Sequence, residues 1–172
     1  MKKIFKSLIL LNLLICSPIK ADTPYFLDFK YILNSSDAGK KAQDFLKKKL
    51  ENGVKNLKNR EIKIQEQEKT IIQQKKVISP DEYKKKVENL RKEVSSLQQE
   101  RSKLLDGVAK QRTKARNELL AALNPIIKEY MNEKKIRMVV DKKSLLLADE
   151  NLDITKEIIT RLNKTLKSIK LN

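Results

Sequence analysis

The chain has 172 residues, of which 39 are Lys or Arg and 22 are Asp or Glu, so its formal net charge is +17. It contains no histidine, no tryptophan, one cysteine and three glycines. The commonest general base and metal ligand is therefore absent, and three glycines cannot build a phosphate-cradling loop. These features argue against an enzyme, so we predict no catalytic residue, no cofactor and no metal site.

The N-terminus has the pattern of a secretory signal. A basic segment, residues 1–6, precedes an apolar run at residues 7–15, which is shorter than the ~20 residues of a membrane span. Cleavage after Ala21 is expected, which makes residues 1–21 a signal peptide and the mature protein periplasmic. The alternative is a lipoprotein modified at Cys16, but the isoleucine before that cysteine does not fit a lipobox.

Cleavage of the signal peptide would change the net charge and the cysteine content of the chain. It removes four lysines and no acidic residue, so 35 basic and 22 acidic residues remain, a net charge of +13. It also removes the only cysteine, so the mature chain forms no disulfide. A cation of this size favours an anionic partner, either nucleic acid, anionic lipid or an acidic polypeptide. Export argues against nucleic acid.

The first predicted elements are a short strand and a long helix. Residues 24–33 are rich in aromatic and β-branched side chains, so they are expected to begin as a strand. Residues 34–37 supply candidate N-caps, and no proline occurs from Ala38 to Val77. These 40 residues predict a helical rod of roughly 60 Å.

A turn near residues 78–81 separates this helix from a second one. Pro80 stops the first helix and falls at the first position of the next, where its missing N–H is no loss. Ser79 and Glu82 have the spacing of a capping box. The second helix is predicted from Pro80 to at least Leu123. So short a turn between two long helices predicts an antiparallel hairpin.

Both helices carry apolar residues at coiled-coil spacing. The second helix alternates steps of four and three residues, and the first repeats an apolar residue every seven. The complementary positions of the first helix are polar, so the seam is expected to be thin and to fray toward the tip. The positions in the second helix are Tyr83, Val87, Leu90, Val94, Leu97, Arg101, Leu104, Val108, Gln111 and Ala115. Those in the first are Leu50, Leu57, Ile64, Ile71 and Ile78, with Arg60, Gln67 and Gln74 as the polar positions.

Beyond the second helix, the C-terminal part of the chain is predicted to form strands and a final helix. Pro125 is expected to kink or reset the helix before it continues through Tyr130. Residues 136–141 and 145–148 are predicted as two further strands, and Asp153 as the cap of a final amphipathic helix. The apolar face of that helix is Ile154, Ile158, Ile159, Leu162, Leu166 and Ile169.

The predicted class is α+β, predominantly α, with a long antiparallel helical hairpin projecting from a small β-rich body. Residues 38–125 form the hairpin, which we call the arm. Residues 22–37 and 126–172 form the body. The body's 63 residues are too few for a large core, and three short strands would leave open edges. We therefore expect oligomerisation through the body.

Most of the positive charge lies on the arm. There are 12 basic and 5 acidic residues from Lys40 to Ile78, and 11 and 7 from Pro80 to Glu118, so the arm carries +11 of the mature +13. Because like charges destabilise an isolated hairpin, this excess favours an anionic ligand. We predict a diffuse binding surface in which lysines attract and apolar side chains make short contacts. The candidates are Lys47, Lys48, Lys55, Lys58, Lys63, Lys69, Lys84, Lys85, Lys92, Lys103, Leu57, Ile64, Ile71 and Ile72.

The order of these parts resembles the Skp/OmpH family of periplasmic chaperones. The matching stretches are residues 25–28, residues 136–143 and the segment Leu152-Asp153-Ile154-Thr155. The resemblance covers residues 22–168. It implies a homotrimer whose strands merge into one body, with three arms around a cavity that holds unfolded outer-membrane proteins. It implies no catalytic residue and no use of ATP.

Two other functions share these features. A structural coiled-coil protein of the envelope would have the same signal and rods, but a spacer needs no basic excess and a hairpin returns to its own body. A module that binds anionic lipid or lipopolysaccharide would use the same basic arm. The sequence therefore favours a holdase chaperone and leaves lipid binding open.

Overall fold

The computed structural model describes residues 23–171. Its elements are β1 (Tyr25–Leu27), α1 (Phe29–Ser35), α2 (Asp37–Gln74), α3 (Pro80–Lys134), β2 (Val139–Asp141) and α4 (Thr155–Thr165), with 3₁₀ turns at Lys142–Ser144 and Glu150–Leu152. The predicted α+β class, predominantly α, is confirmed. The predicted signal peptide and Cys16 lie outside the described residues.

The first strand is shorter than predicted, because a helix begins inside the expected strand of residues 24–33. The side chain of Asp28 accepts a hydrogen bond from Tyr31 N at 2.7 Å and caps α1. Ser36, which is fully buried, then caps α2 through its hydroxyl. Two consecutive caps draw the aromatic residues of this segment into helix despite their preference for strands.

Helices α2 and α3 form the predicted antiparallel hairpin. The structure gives α2 38 residues and α3 55 residues, which correspond to roughly 55 and 80 Å. Residues 75–79 make the turn, and Ser79 caps α3 by accepting a hydrogen bond from Glu82 N at 3.2 Å. Because α3 is 17 residues longer than α2, its C-terminal part continues past the base of α2 into the body.

Helix α3 passes through Pro125 as one element, so the predicted reset of the helix does not occur. Pro125 leaves the carbonyl of Ala121 without its usual helical donor. The neighbouring side chains of Leu123 and Ile126 are both buried in the core. Their packing holds the helix together across the missing hydrogen bond.

The sheet is small and parallel, with Tyr25 opposite Val139 and Leu27 opposite Asp141. On its other side, β1 forms a bridge between Phe26 and Asp153, where Ile154 N donates to Phe26 O at 2.9 Å. Strand β1 therefore lies between β2 and the start of α4. The outer edge of β2 is left without a partner strand among residues 23–171.

The strand predicted at residues 145–148 is wrong. This segment is irregular and connects the two 3₁₀ turns. Asp141 and Asp149 each accept a backbone hydrogen bond from two residues further on, at 3.2 and 2.9 Å, and so cap these turns. Such caps bend the chain at both ends of the segment, which therefore does not lie alongside the sheet.

The main core joins the end of α3 to both strands, α1 and α4. The predicted cap of α4 at Asp153 is wrong, because Ile154 is the N-cap residue and no side chain caps the helix. Helix α4 ends at Thr165, earlier than the apolar pattern predicts. Leu166 and Ile169 nevertheless pack against this core, from an irregular tail. The buried members of the core are Leu27, Ile32, Ala38, Leu119, Leu123, Ile126, Tyr130, Ile136, Ile154, Ile158 and Leu162.

Candidate functional site

The ten candidate lysines all lie exposed on the arm. Each helix has one adjacent pair, Lys47 and Lys48 on α2 and Lys84 and Lys85 on α3, and the other six lie apart from one another. The charge is therefore spread along the hairpin and forms no single cluster. Lys47 lies 3.9 Å from Glu51, one helical turn away. An exposed pair of this kind contributes only ~0 to 1 kcal/mol, so it leaves the lysine free to interact with a ligand.

The structure separates the four apolar candidates into three environments. Leu57 and Ile64 are buried with Leu97 between the two helices. Ile71 is half-buried near the tip, and Ile72 is 60% exposed on the outer surface. In the hairpin Ile72 is the most accessible of the four to a ligand and Ile71 is partly accessible, while Leu57 and Ile64 hold the arm together.

Polar residues replace apolar ones at several positions of the seam. Arg60 of α2 forms an ion pair with Glu100 of α3, and the adjacent Glu61 lies 3.7 Å from Arg101. Hydrogen bonding to the Arg60 guanidinium holds the pKa of Glu100 below its usual range. Arg101 therefore contributes to the hairpin by a charge contact across the helices and not by apolar packing.

A cavity of about 520 Å³ opens between the helices near the tip. Its lining includes Ile71 and Leu90 among polar side chains such as Gln67 and Gln74. Gln74 accepts a hydrogen bond from Lys86 Nζ at 2.9 Å, which joins the helices at the end of α2. The seam is therefore polar and incompletely packed toward the tip.

Of the exposed apolar residues on the two arm helices, sequence reasoning proposed only Ile72 as a ligand contact and missed the others. Val94, predicted to lie in the seam, is 48% exposed. It lies near the helical face of Leu105, eleven residues along, because eleven residues complete about three turns. The signal for Phe45, Val54, Ile62 and Leu105 would have been their position outside the seven-residue register, whereas Val94 lies within it and gave no such signal. The exposed apolar residues of the two arm helices are Phe45, Val54, Ile62, Ile72, Val94 and Leu105.

A second cavity, of about 600 Å³, lies at the base of the arm. It is lined by apolar side chains of both helices, among them Leu46 and Leu119. Lys47, Arg112 and Arg116 also line it, against one carboxylate, so the groove is apolar inside and predominantly basic at its rim. This combination suits a polypeptide segment that has apolar side chains and negative charge.

The body also presents apolar side chains to solvent. Leu146 and Leu147, in the segment wrongly predicted as a strand, are fully exposed, and Met138 is more than half exposed beside β2. Lys142 Nζ lies 5.8 Å from the centre of the Phe26 ring at the same surface. Exposed apolar side chains and an unpaired strand edge are each typical of an interface between protein chains.

Residues 23–171 contain neither a candidate membrane span nor a candidate metal site. None of their helices combines the length and apolar character needed to span a bilayer. No three His, Cys, Asp or Glu side chains within the same range are grouped so that they could hold a metal ion.

These features define a class of protein: a small α+β body that carries a long, basic helical arm. The family described as Outer membrane protein (OmpH-like) matches residues 25–162. The chain belongs to this OmpH-like family, which confirms the predicted resemblance to the Skp/OmpH proteins.

A solved structure has the same fold. It is that of an OmpH-like protein from Caulobacter crescentus CB15, described as a candidate outer membrane chaperone, with a TM-score of 0.80 and 19% sequence identity. The match covers 86% of this chain and 89% of that one. No curated protein sequence matches the chain.

Proposed function

We propose that this chain is an ATP-independent periplasmic holdase that captures unfolded outer-membrane β-barrel proteins and prevents their aggregation. The observation that carries the proposal is the arm, on which ten exposed lysines alternate with isolated apolar side chains over both helices. Membership of the OmpH-like family and similarity to a candidate outer membrane chaperone support it.

The mechanism follows from the range of each interaction. The net charge of the arm attracts acidic unfolded chains over several ångströms, and the exposed apolar residues then make short contacts with their apolar segments. Each contact is weak, so a client is held by many of them and released without an energy source. No single residue is indispensable in such a mechanism.

We propose that the body assembles into a homotrimer, so that three arms surround a common cavity. The unpaired edge of β2 and the exposed side chains of Leu146 and Leu147 support an interface on the body. Burial of two leucine side chains favours association by ~3 to 6 kcal/mol before the entropic cost of binding.

The test is to dilute a urea-unfolded β-barrel protein into buffer with and without the purified chain and follow aggregation by light scattering. We expect suppression at low salt and a weaker effect as salt screens the arm. The same measurement with added vesicles of anionic lipid distinguishes a chaperone from a lipid-binding protein. Tight vesicle binding with no suppression of aggregation in lipid-free buffer would identify a lipid-binding protein instead.

A further inference from the structure

The tail of the chain, residues 166–171, turns back from α4 and lies across the base of the arm. It belongs to no helix or strand. Leu171 is 3% exposed, and its neighbours belong to both arm helices. The buried residues that it packs with are Ala42 and Leu46 of α2 and Val108 and Ala115 of α3.

This contact is some distance from the main core of the body. Val108 is 15 residues before Leu123 along α3, which corresponds to roughly 22 Å of helix. Ile169 packs against both the main core and the cluster around Leu171. The tail therefore connects the body to a part of the arm that α4 does not reach.

Gln111 is the polar centre of this contact. Its side-chain amide donates a hydrogen bond to the backbone carbonyl of Leu171. Its oxygen accepts a hydrogen bond from Lys49 Nζ at 2.9 Å, so one side chain joins α2, α3 and the tail. Closer to the body, Lys167 Nζ lies 3.7 Å from Asp37 Oδ2.

The surface under the tail has the chemistry of a peptide-binding groove. The small side chains of Ala42 and Ala115 leave a depression between the helices that one large apolar side chain fills. Gln111 recognises the occupant by a backbone carbonyl, which every residue type provides. The groove thus selects for an extended segment with a suitably placed apolar residue and not for the particular sequence of the tail.

Another extended segment could also replace the tail in this groove. Lys167, Ser168 and Lys170 are exposed, so only part of the segment is packed. Lys167 is paired with Asp37, but Lys170, next to Leu171, is repelled by the positive charge of the arm on which the tail lies. An extended apolar segment that is neutral or acidic avoids this repulsion and has the advantage in competition.

We infer that the arm base contains a peptide-binding groove, that residues 166–171 occupy it as a cover, and that an extended apolar segment of a client replaces them. The last part rests on the proposed chaperone function. In the absence of a client the cover keeps an apolar surface from solvent, and its displacement frees the base of the arm from the body.

The experiment is hydrogen exchange on the full chain, with Leu171→Asp as the variant that ejects the tail. Ser168→Asp places the same charge at an exposed tail position and is the matched control. Leu171→Asp is expected to speed exchange in residues 42–50 and 104–115 by roughly tenfold, while Ser168→Asp leaves it unchanged. Gln111→Ala removes the hydrogen bond from the groove to the Leu171 carbonyl and should also speed exchange in these residues.

Two additions test the groove itself. A synthetic peptide of residues 163–171, in excess, should restore the protection of residues 42–50 in Leu171→Asp. A fluorophore attached to Ser168→Cys, at an exposed tail position, should become more mobile when an unfolded β-barrel protein is added, while residues 42–50 stay protected. Equal exchange in wild type and Leu171→Asp, no rescue by the peptide, or an immobile label while a client is held would each overturn the inference. If no client is held at all, the chaperone function fails, and the peptide rescue still decides whether the groove exists.

Discussion

At the level of single residues, Gly39 and Gly107 show how differently two helical glycines are constrained. A Cβ on Gly39 would lie 1.9 Å from the backbone oxygen of Leu33, where α1 and α2 cross. A Cβ on Gly107 would meet nothing within 4 Å. The first glycine permits the close approach of two helices, and the second has no such role.

Gly39→Ala should therefore destabilise the protein by about 2 kcal/mol, because backbone must move to remove the overlap. Gly107→Ala, the matched control, should stabilise it by about 0.5 to 1 kcal/mol through helix propensity. Urea unfolding followed by circular dichroism measures both. A neutral effect of Gly39→Ala would contradict the close packing of α1 on α2.

Asp153 joins the start of α4 to the sheet and to β2's end. Its carboxylate accepts hydrogen bonds from Thr155 N, at 2.9 Å, and from the Thr155 hydroxyl, and it lies 3.5 Å from Lys142 Nζ. Partial burial alone would raise the pKa of Asp153, but the hydrogen bonds from Thr155 and the charge of Lys142 outweigh it and lower the pKa.

Asp153→Asn should lower the free energy of unfolding by about 1 kcal/mol at neutral pH, because the charged hydrogen bonds to Thr155 and the ion pair with Lys142 are weakened. A carboxylate whose pKa is lowered in the folded state adds stability above its unfolded pKa of about 3.9, and loses it as pH falls through the folded value. The stabilities of wild type and variant should therefore converge in acid. Urea titrations from neutral to acid pH test this, and a difference that stays constant would refute the role of the charge.

At the level of elements, the arm is held unevenly along its length. Apolar packing of Leu57, Ile64 and Leu97 gives way toward the tip to the polar cavity around Gln67 and Gln74. Regions with few buried apolar contacts open locally at low free energy. Hydrogen exchange should accordingly be fastest near residues 60–95 and slower at the base of the arm. Equal protection at tip and base would rule out the thin seam.

Client capture should depend on the total positive charge of the arm and not on any single lysine. At ~0.15 M salt, exposed charges more than about 8 Å apart are largely screened from one another, so one Lys→Ala change should be almost silent. Replacing six to eight of the ten candidate lysines by Gln should slow client capture markedly without loss of helicity. Replacing the same residues by Arg keeps the charge and is the control. Capture as fast as wild type by the Gln protein at low salt would exclude attraction by the arm.

At the level of the whole molecule, the exposed leucines of the body are expected to lie in the interface of the proposed trimer. Leu146→Asp combined with Leu147→Asp should reduce the mass measured by sedimentation equilibrium, because two charges would have to be buried in the interface. Ile72→Asp, an exposed apolar residue of the arm, is the control and should leave the mass unchanged. A wild-type protein that sediments as a monomer would remove the basis for a shared cavity.

Residue patterns in the sequence were sufficient to predict the two long helices and the turn between them. The absence of proline from Ala38 to Val77, the cap at Ser79 and the first-turn proline Pro80 predicted the helical hairpin correctly. These signals act through neighbouring residues along the chain, so they do not depend on what the rest of the protein does. The net charge of the arm is likewise a property of composition.

The tertiary structure decided where local preferences compete with packing. Pro125 stays inside α3 because the core holds both of its flanks, and residues 145–148 form no strand because no neighbouring strand lies beside them. Residues 166–171 leave the helix that their spacing predicts and cover the arm base instead. The sequence by itself thus determined a basic helical arm on a small α+β body. Only packing between distant segments decided which apolar residues are buried, which remain exposed, and where residues 166–171 pack.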